Sequence, residues 1–325
     1  MKIGLTITIC FTIIAGLRAE DPCDKDEKLW HHRCPADKDN NDISMSENCN
    51  EFDPVSVRVS SCVSVTISET GIGLENEVES LTVENVTKEL QLSTIFSVQN
   101  MRLIKLLNIG NIPNITHSSF TSVNRIGQLR IENTKIEFFE ETLKKININE
   151  FILINVTIEK LHALEIFDVE GLNVTFINCR ITVNGGPVQL ENSKHGSIKL
   201  VNTMFEFENS GNMSLKAEYV QVLNCTFIRA SVNVISDYID VNDTCGDNAS
   251  SMTLRYTKHL EYNRNEILIE KMHQPEKAKE GNQVPEKNNN SVVDEAKVAK
   301  GAAAGISCSL SLCLVAVSYI LTIRM

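Results

Sequence analysis

Between residues 81 and 224 one five-residue pattern recurs: apolar, any, apolar, any, asparagine. It reads LTVEN at 81–85, LNIGN at 107–111, LRIEN at 129–133, FILIN at 151–155, VTFIN at 174–178, IKLVN at 198–202 and VQVLN at 220–224. The asparagines are Asn85, Asn111, Asn133, Asn155, Asn178, Asn202 and Asn224, separated by 22 to 26 residues. Both apolar columns hold in every row, although the chain as a whole is only 42% hydrophobic. Such alternation marks a strand with one buried face. The residue after each asparagine is β-branched or cysteine: Val86, Ile112, Thr134, Val156, Cys179, Thr203 and Cys225. In the last five rows Ile136, Ile158, Ile181, Phe205 and Phe227 follow two residues further on.

A period near 23 residues predicts a solenoid. One such coil is too small to bury its own apolar side. Stacking equivalent strands in parallel, about 4.8 Å apart, joins those sides into one core. The expected fold is therefore mainly β: a parallel β-solenoid over 78–235, with seven or more coils of 22–26 residues.

The stretch Gly185 to Ile228 contains further alternating segments. Val188 and Leu190, Ile198 and Leu200, Phe205 and Phe207, then Met213, Leu215 and Ala217, then Val220 and Val222 follow one another between Gly, Asn and Ser turns. With two or three short strands per coil, this resembles right-handed parallel β-helix proteins of the pectin-lyase-like kind. That resemblance implies action on acidic polysaccharides, but the family's catalytic signatures are absent. NTK at 133–135, KHG at 194–196 and SIK at 197–199 stand where N-T-D, G-H-G and R-I-K would be, and there is no adjacent Asp pair. The alternative is a leucine-rich-repeat solenoid. Phe120, Val123, Ile126, Leu129, Ile131 and Ile136 fall in phase with that repeat, which resembles the leucine-rich consensus. The departure is that asparagine sits one residue earlier than the consensus places it.

The ends set the compartment. Residues 1–19 combine Lys2, an apolar run and Ala19, the form of a secretory signal peptide. Residues 301–325 contain an uncharged run of 23 residues from Gly301 to Ile323. That is long enough for a transmembrane span. The small triplet Gly301, Ala302, Ala303 ahead of an apolar tail equally fits a GPI signal, with Gly301 as attachment site. Residues 274–300, rich in Lys, Glu, Asn and Pro, read as a disordered stalk. Either anchor places the body on the extracellular face of the plasma membrane. Nine N-glycosylation sequons agree: Asn85, Asn114, Asn155, Asn173, Asn212, Asn224, Asn242, Asn248 and Asn289.

Four cysteines, Cys23, Cys34, Cys49 and Cys62, crowd the segment 20–77, which is read as a disulfide-stapled N-terminal cap. Their pairing is open. Cys179 and Cys225 lie two coils apart, about 9–10 Å, too far for a bond. They are expected as buried thiols, unless Cys225 bridges to Cys245 in a C-terminal cap over 236–273. His31, His32 and Cys34 lack a second spaced ligand pair, so no metal site is expected.

Function is the least constrained part. The chain is acidic, with formal net charge −11, which argues against nucleic acid as a partner. No nucleophile elbow, phosphate loop or metal-ligand pair appears, and no cofactor is expected. The acidic run 237–243 and His195 read as surface and turn residues rather than catalytic ones. Expected outward residues on the strands are mixed: Thr82, Glu84, Arg130, Glu132, Thr175, Lys199 and Gln221. Ile152, Ile154, Ile177 and Leu223 at equivalent positions suggest an apolar patch. The expectation is a non-enzymatic, glycosylated, anchored solenoid that recognises an extracellular protein or glycan. The alternatives are a polysaccharide-active enzyme or a structural coat glycoprotein.

Overall fold

The computed structural model describes residues 23–24, 28–34, 41–42, 55–67, 78–92, 100–120, 123–140, 143 and 146–274. The expected signal peptide, nearly all of the stalk, the hydrophobic tail with Gly301, Cys49 and Asn289 lie outside them.

The chain is a parallel β-solenoid. Its first sheet stacks rungs at 29–33, 56–60, 80–84, 103–107, 128–132, 150–154, 173–177, 197–201, 219–223, 238–242 and 259–263. The stack therefore continues on both sides of 78–235, through segments expected to be caps. A second sheet follows the asparagine corner, with rungs such as 134–139, 156–161, 180–183, 204–207 and 226–228. A third sheet is developed in the C-terminal half, with 164–170, 188–194, 211–217, 230–236, 251–256 and 268–273. In the N-terminal half its place is taken by shorter pairings at 100–101, 125–126 and 147–148, and by a 3-10 turn at His117–Phe120. Coils return through strands, so the leucine-rich alternative is set aside. Among the described residues one pairing is antiparallel: Cys23–Asp24 folds back on 29–30.

Alternation builds the core. On the first sheet Leu81, Ile104, Leu129, Phe151, Val174, Ile198, Val220 and Ile239 point inward, and all are essentially inaccessible. Phe151, Phe176, Phe205 and Phe227 form a run of ring contacts along the axis, with centroids 5.3, 6.4 and 6.0 Å apart. The column after the corner, Cys62, Val86, Ile109, Thr134, Val156, Cys179, Thr203, Cys225 and Thr244, is buried throughout. Thr203 settles its hydroxyl on the carbonyls of Phe176 and Val201, at 3.3 and 3.0 Å. A polar atom is tolerated there because the corner carbonyls accept it.

The corner explains the asparagines. Asn85, Asn108, Asn133, Asn155, Asn178, Asn202 and Asn224 all have φ between 49° and 56°. Asparagine is one of the few non-glycine residues that visits this left-handed region readily. Each amide then bonds to the next rung. Asn108 Nδ2 donates to Asn85 Oδ1 (3.1 Å), Asn133 to Asn108 (2.7 Å), Asn155 to Asn133 (2.9 Å), Asn178 to Asn155 (3.0 Å), Asn202 to Asn178 (3.1 Å) and Asn224 to Asn202 (2.7 Å). Asn111, expected in this column, is not in it. The rung there is 103–107, and Asn108 closes it. Asn111 lies on the second sheet and donates to Glu137 at 2.8 Å. Ser61, Asp243 and Arg264 continue the left-handed corner beyond the ladder. Asp243 and Arg264 replace amide pairing with an ion pair at 2.7 Å.

Cys34 and Cys62 form a disulfide with Cα atoms 4.9 Å apart. Cys179 and Cys225 are free and buried. The Cys225–Cys245 bridge does not form. Cys245 is in register with Thr226 and not with Cys225, so alternation turns it outward while Cys225 faces the core. Cys245 is disulfide-bonded to a different cysteine.

Candidate functional site

The outer face of the first sheet is the most organised exposed surface. The outward residue just before each ladder asparagine forms a column along the axis. Over four successive rungs it is aliphatic: Ile154, Ile177, Val201 and Leu223, each in register with the next. All four are partly exposed. Ile152 widens the stripe at one end. Glu132 and Asn242 close it above and below. The sequence points to Ile152, Ile154, Ile177 and Leu223; Val201 escapes it because Lys199 stands for the outward face of IKLVN. Directly beside the stripe runs the amide ladder, exposed at every rung except the half-exposed Asn202. The first-sheet face thus presents an apolar track next to a polar one.

The ladder also positions three sequons. Asn85, Asn155 and Asn224 lie on it and are exposed. Solvent exposure and ladder membership are compatible, since an amide nitrogen carries two hydrogens and each ladder bond uses one. Asn114, Asn173, Asn212, Asn242 and Asn248 are elsewhere on the solenoid. Asn173 accepts from the Ser197 N–H and hydroxyl, at 3.2 and 2.8 Å. Asn242 donates to Asp240, and its sequon partner Thr244 is buried.

A second surface lies at the corner between the third and first sheets. His195, with φ 49°, precedes Gly196, where a Cβ would come within 2.2 Å of the Leu172 carbonyl. This tight turn places His195 Nδ1 3.1 Å from Glu218 Oε2. Tyr219 and Tyr238, neighbours in register and 42% and 38% exposed, stand beside it around an open hollow of about 540 Å³. Lys258 Nζ sits 5.4 Å from the Tyr238 ring centre.

The candidates for other chemistry are dispersed. In the acidic run, Asp237 accepts from Thr257 (2.5 Å) and pairs with Lys258 (2.8 Å), which hold its carboxyl below the usual range. Asp240 accepts from Gln221 at 2.9 Å and Asp243 pairs with Arg264. Cys34 is consumed by its disulfide. His31 and His32 leave their strand on opposite faces, His31 meeting Ser60 Oγ at 2.8 Å and His32 packing near Trp30. Burial and then His31 push the His32 pKa down. Among the described residues no group of three His, Cys, Asp or Glu is placed to hold a metal ion. No helix among them is long and apolar enough to cross a membrane.

Comparison with protein-family models, with curated proteins and with solved structures gave no match.

Proposed function

We propose that this chain is a non-enzymatic recognition rod, displayed outside the cell on a membrane anchor and bearing N-linked glycans. The observation that supports recognition is the four-rung aliphatic stripe Ile154–Ile177–Val201–Leu223, kept partly exposed along a rigid face. A sheet face of a solenoid has no folding need for such residues outward, and contiguous exposed apolar surface marks interaction sites. The partner class is an extracellular protein or glycan. The engagement of Asp237, Asp240 and Asp243 with neighbouring side chains favours a structural role for the acidic run over a catalytic one.

The test displays the full chain on cells and screens extracellular domains and glycans. Ile177→Lys and Val201→Lys should abolish the binding that the wild type shows, at unchanged surface level. Binding indifferent to both substitutions would refute the stripe as the recognition face. Phosphatidylinositol-specific phospholipase should release the protein; full retention would assign a transmembrane anchor instead. Peptide mapping should find glycan on the outward Asn85, Asn155 and Asn224.

A further inference from the structure

Among the described residues, the third sheet carries a cation with no ion-pair partner. Arg255 is in register with Ile235, which is in register with Lys216. The Arg255 Nε is buried and finds no acceptor. Among the described residues its guanidinium makes no hydrogen bond or ion pair. A buried, unpaired N–H costs stability, and a guanidinium with no partner can take an acceptor that reaches its remaining N–H groups from the cavity. The acceptor has room: Arg255 lines a cavity of about 340 Å³ together with Lys216, Lys258 and Gln274. The two carboxylates on the same cavity wall are already engaged, Asp237 with Lys258 and Thr257, and Glu218 with His195. On a chain of net charge −11, this corner is a local exception.

We propose that the corner is an oxyanion site, taking a carboxylate or sulfate group on a small ligand. The planar Arg255 fork supplies two parallel donors, a geometry matched to such groups. Lys216, two rungs away in the same outward column, adds a second positive charge at the mouth. Lys258 neutralises Asp237, so that carboxylate does not repel the incoming anion. The site is separate from the aliphatic stripe and stands or falls independently of it.

The experiment titrates the purified full-length chain in detergent with sodium sulfate and, separately, sodium acetate. Sodium chloride holds ionic strength constant, and binding is followed by calorimetry. At least one anion should bind saturably, and which one binds assigns the group. Arg255→Gln should weaken it about tenfold or more, as expected for loss of a charge-assisted bond. Arg255→Lys, which keeps the charge but not the fork, should fall between the two, and Ile177→Lys on the stripe should change nothing. Absence of saturable binding by either anion overturns the proposal. So does undiminished affinity in Arg255→Gln or, if that variant fails to fold, in Arg255→Lys.

Discussion

Asn178 offers the sharpest test of why the corner is built from asparagine. It makes two ladder bonds, donating to Asn155 at 3.0 Å and accepting from Asn202 at 3.1 Å. Its φ is 54°. It is followed by Cys179 and Arg180, so it lies outside every sequon. Asn178→Ala removes both bonds. As solvent-exposed bonds they contribute about 0.5 kcal/mol each, the low end for a neutral pair. Alanine keeps the Cβ but lacks the short amide that eases asparagine into the left-handed region, a further cost of about 1 kcal/mol. The expected total is about 2 kcal/mol. Asn178→Gly loses the same bonds but, without a Cβ, is not strained in that region. Its gain in backbone ease is roughly offset by the added freedom of the unfolded chain, leaving about 1 kcal/mol. Urea unfolding, read as midpoint shifts at constant slope, separates the two. Equal shifts for alanine and glycine would refute the left-handed corner as the reason for asparagine. A shift below about 0.3 kcal/mol in both would refute any stabilising role of the ladder.

Further outcomes follow from the core and the cysteines. Phe176→Ala, inside the run of ring contacts, should cost about 3–5 kcal/mol of stability in the same unfolding assay. Burial raises the Cys225 thiol to about 12 and the Cys179 thiol to about 11. Both therefore keep their protons in the folded state at pH values where an unfolded thiol ionises. Their contribution is fully present below about pH 9 and is lost as pH rises toward 11 and 12. Stability measured from pH 8 upward should fall, and Cys179→Ala/Cys225→Ala should flatten that fall relative to its own value at pH 8. Native-state alkylation at pH 8 should spare both thiols. Replacing Cys34 and Cys62 together by alanine should cost about 3.6 kcal/mol, from the 28-residue separation that the disulfide closes.

The repeat was legible because a strand with one buried face leaves a period of two in the sequence, and a corner leaves its own mark. The asparagine column failed only at Asn111. Both IKLLN and LNIGN satisfy the pattern between 104 and 111. The choice is made by register: Leu107 pairs with Glu84 and Glu132, which fixes Asn108 at the corner. Register is a property of neighbouring coils, and one row cannot display it. The rungs at 56–60, 238–242 and 259–263 escaped for a related reason, since Ser61, Asp243 and Arg264 occupy the corner and break the asparagine signature. Cys245 shows the same limit. It lies near the cysteine column in sequence, but one position of alternation turns it to the other face. The Arg255 corner left no trace in the sequence, because it gathers residues from successive coils with no motif of their own.

The last rung among the described residues, 268–273, sets Ile269, Lys271 and His273 at the positions that Met252, Leu254 and Tyr256 fill in the rung before. Lys271 lies over the Tyr262 ring at 3.3 Å, and His273 meets Tyr256 edge-on at 5.1 Å. A parallel stack is by nature a template: any chain with the right alternation could add a further layer to its open edge. Here the next layer would have to bury a lysine and an imidazole against its own apolar side chains, so addition is disfavoured however well its backbone fits. The six residues of this rung thus disfavour growth of the stack by addition of another chain.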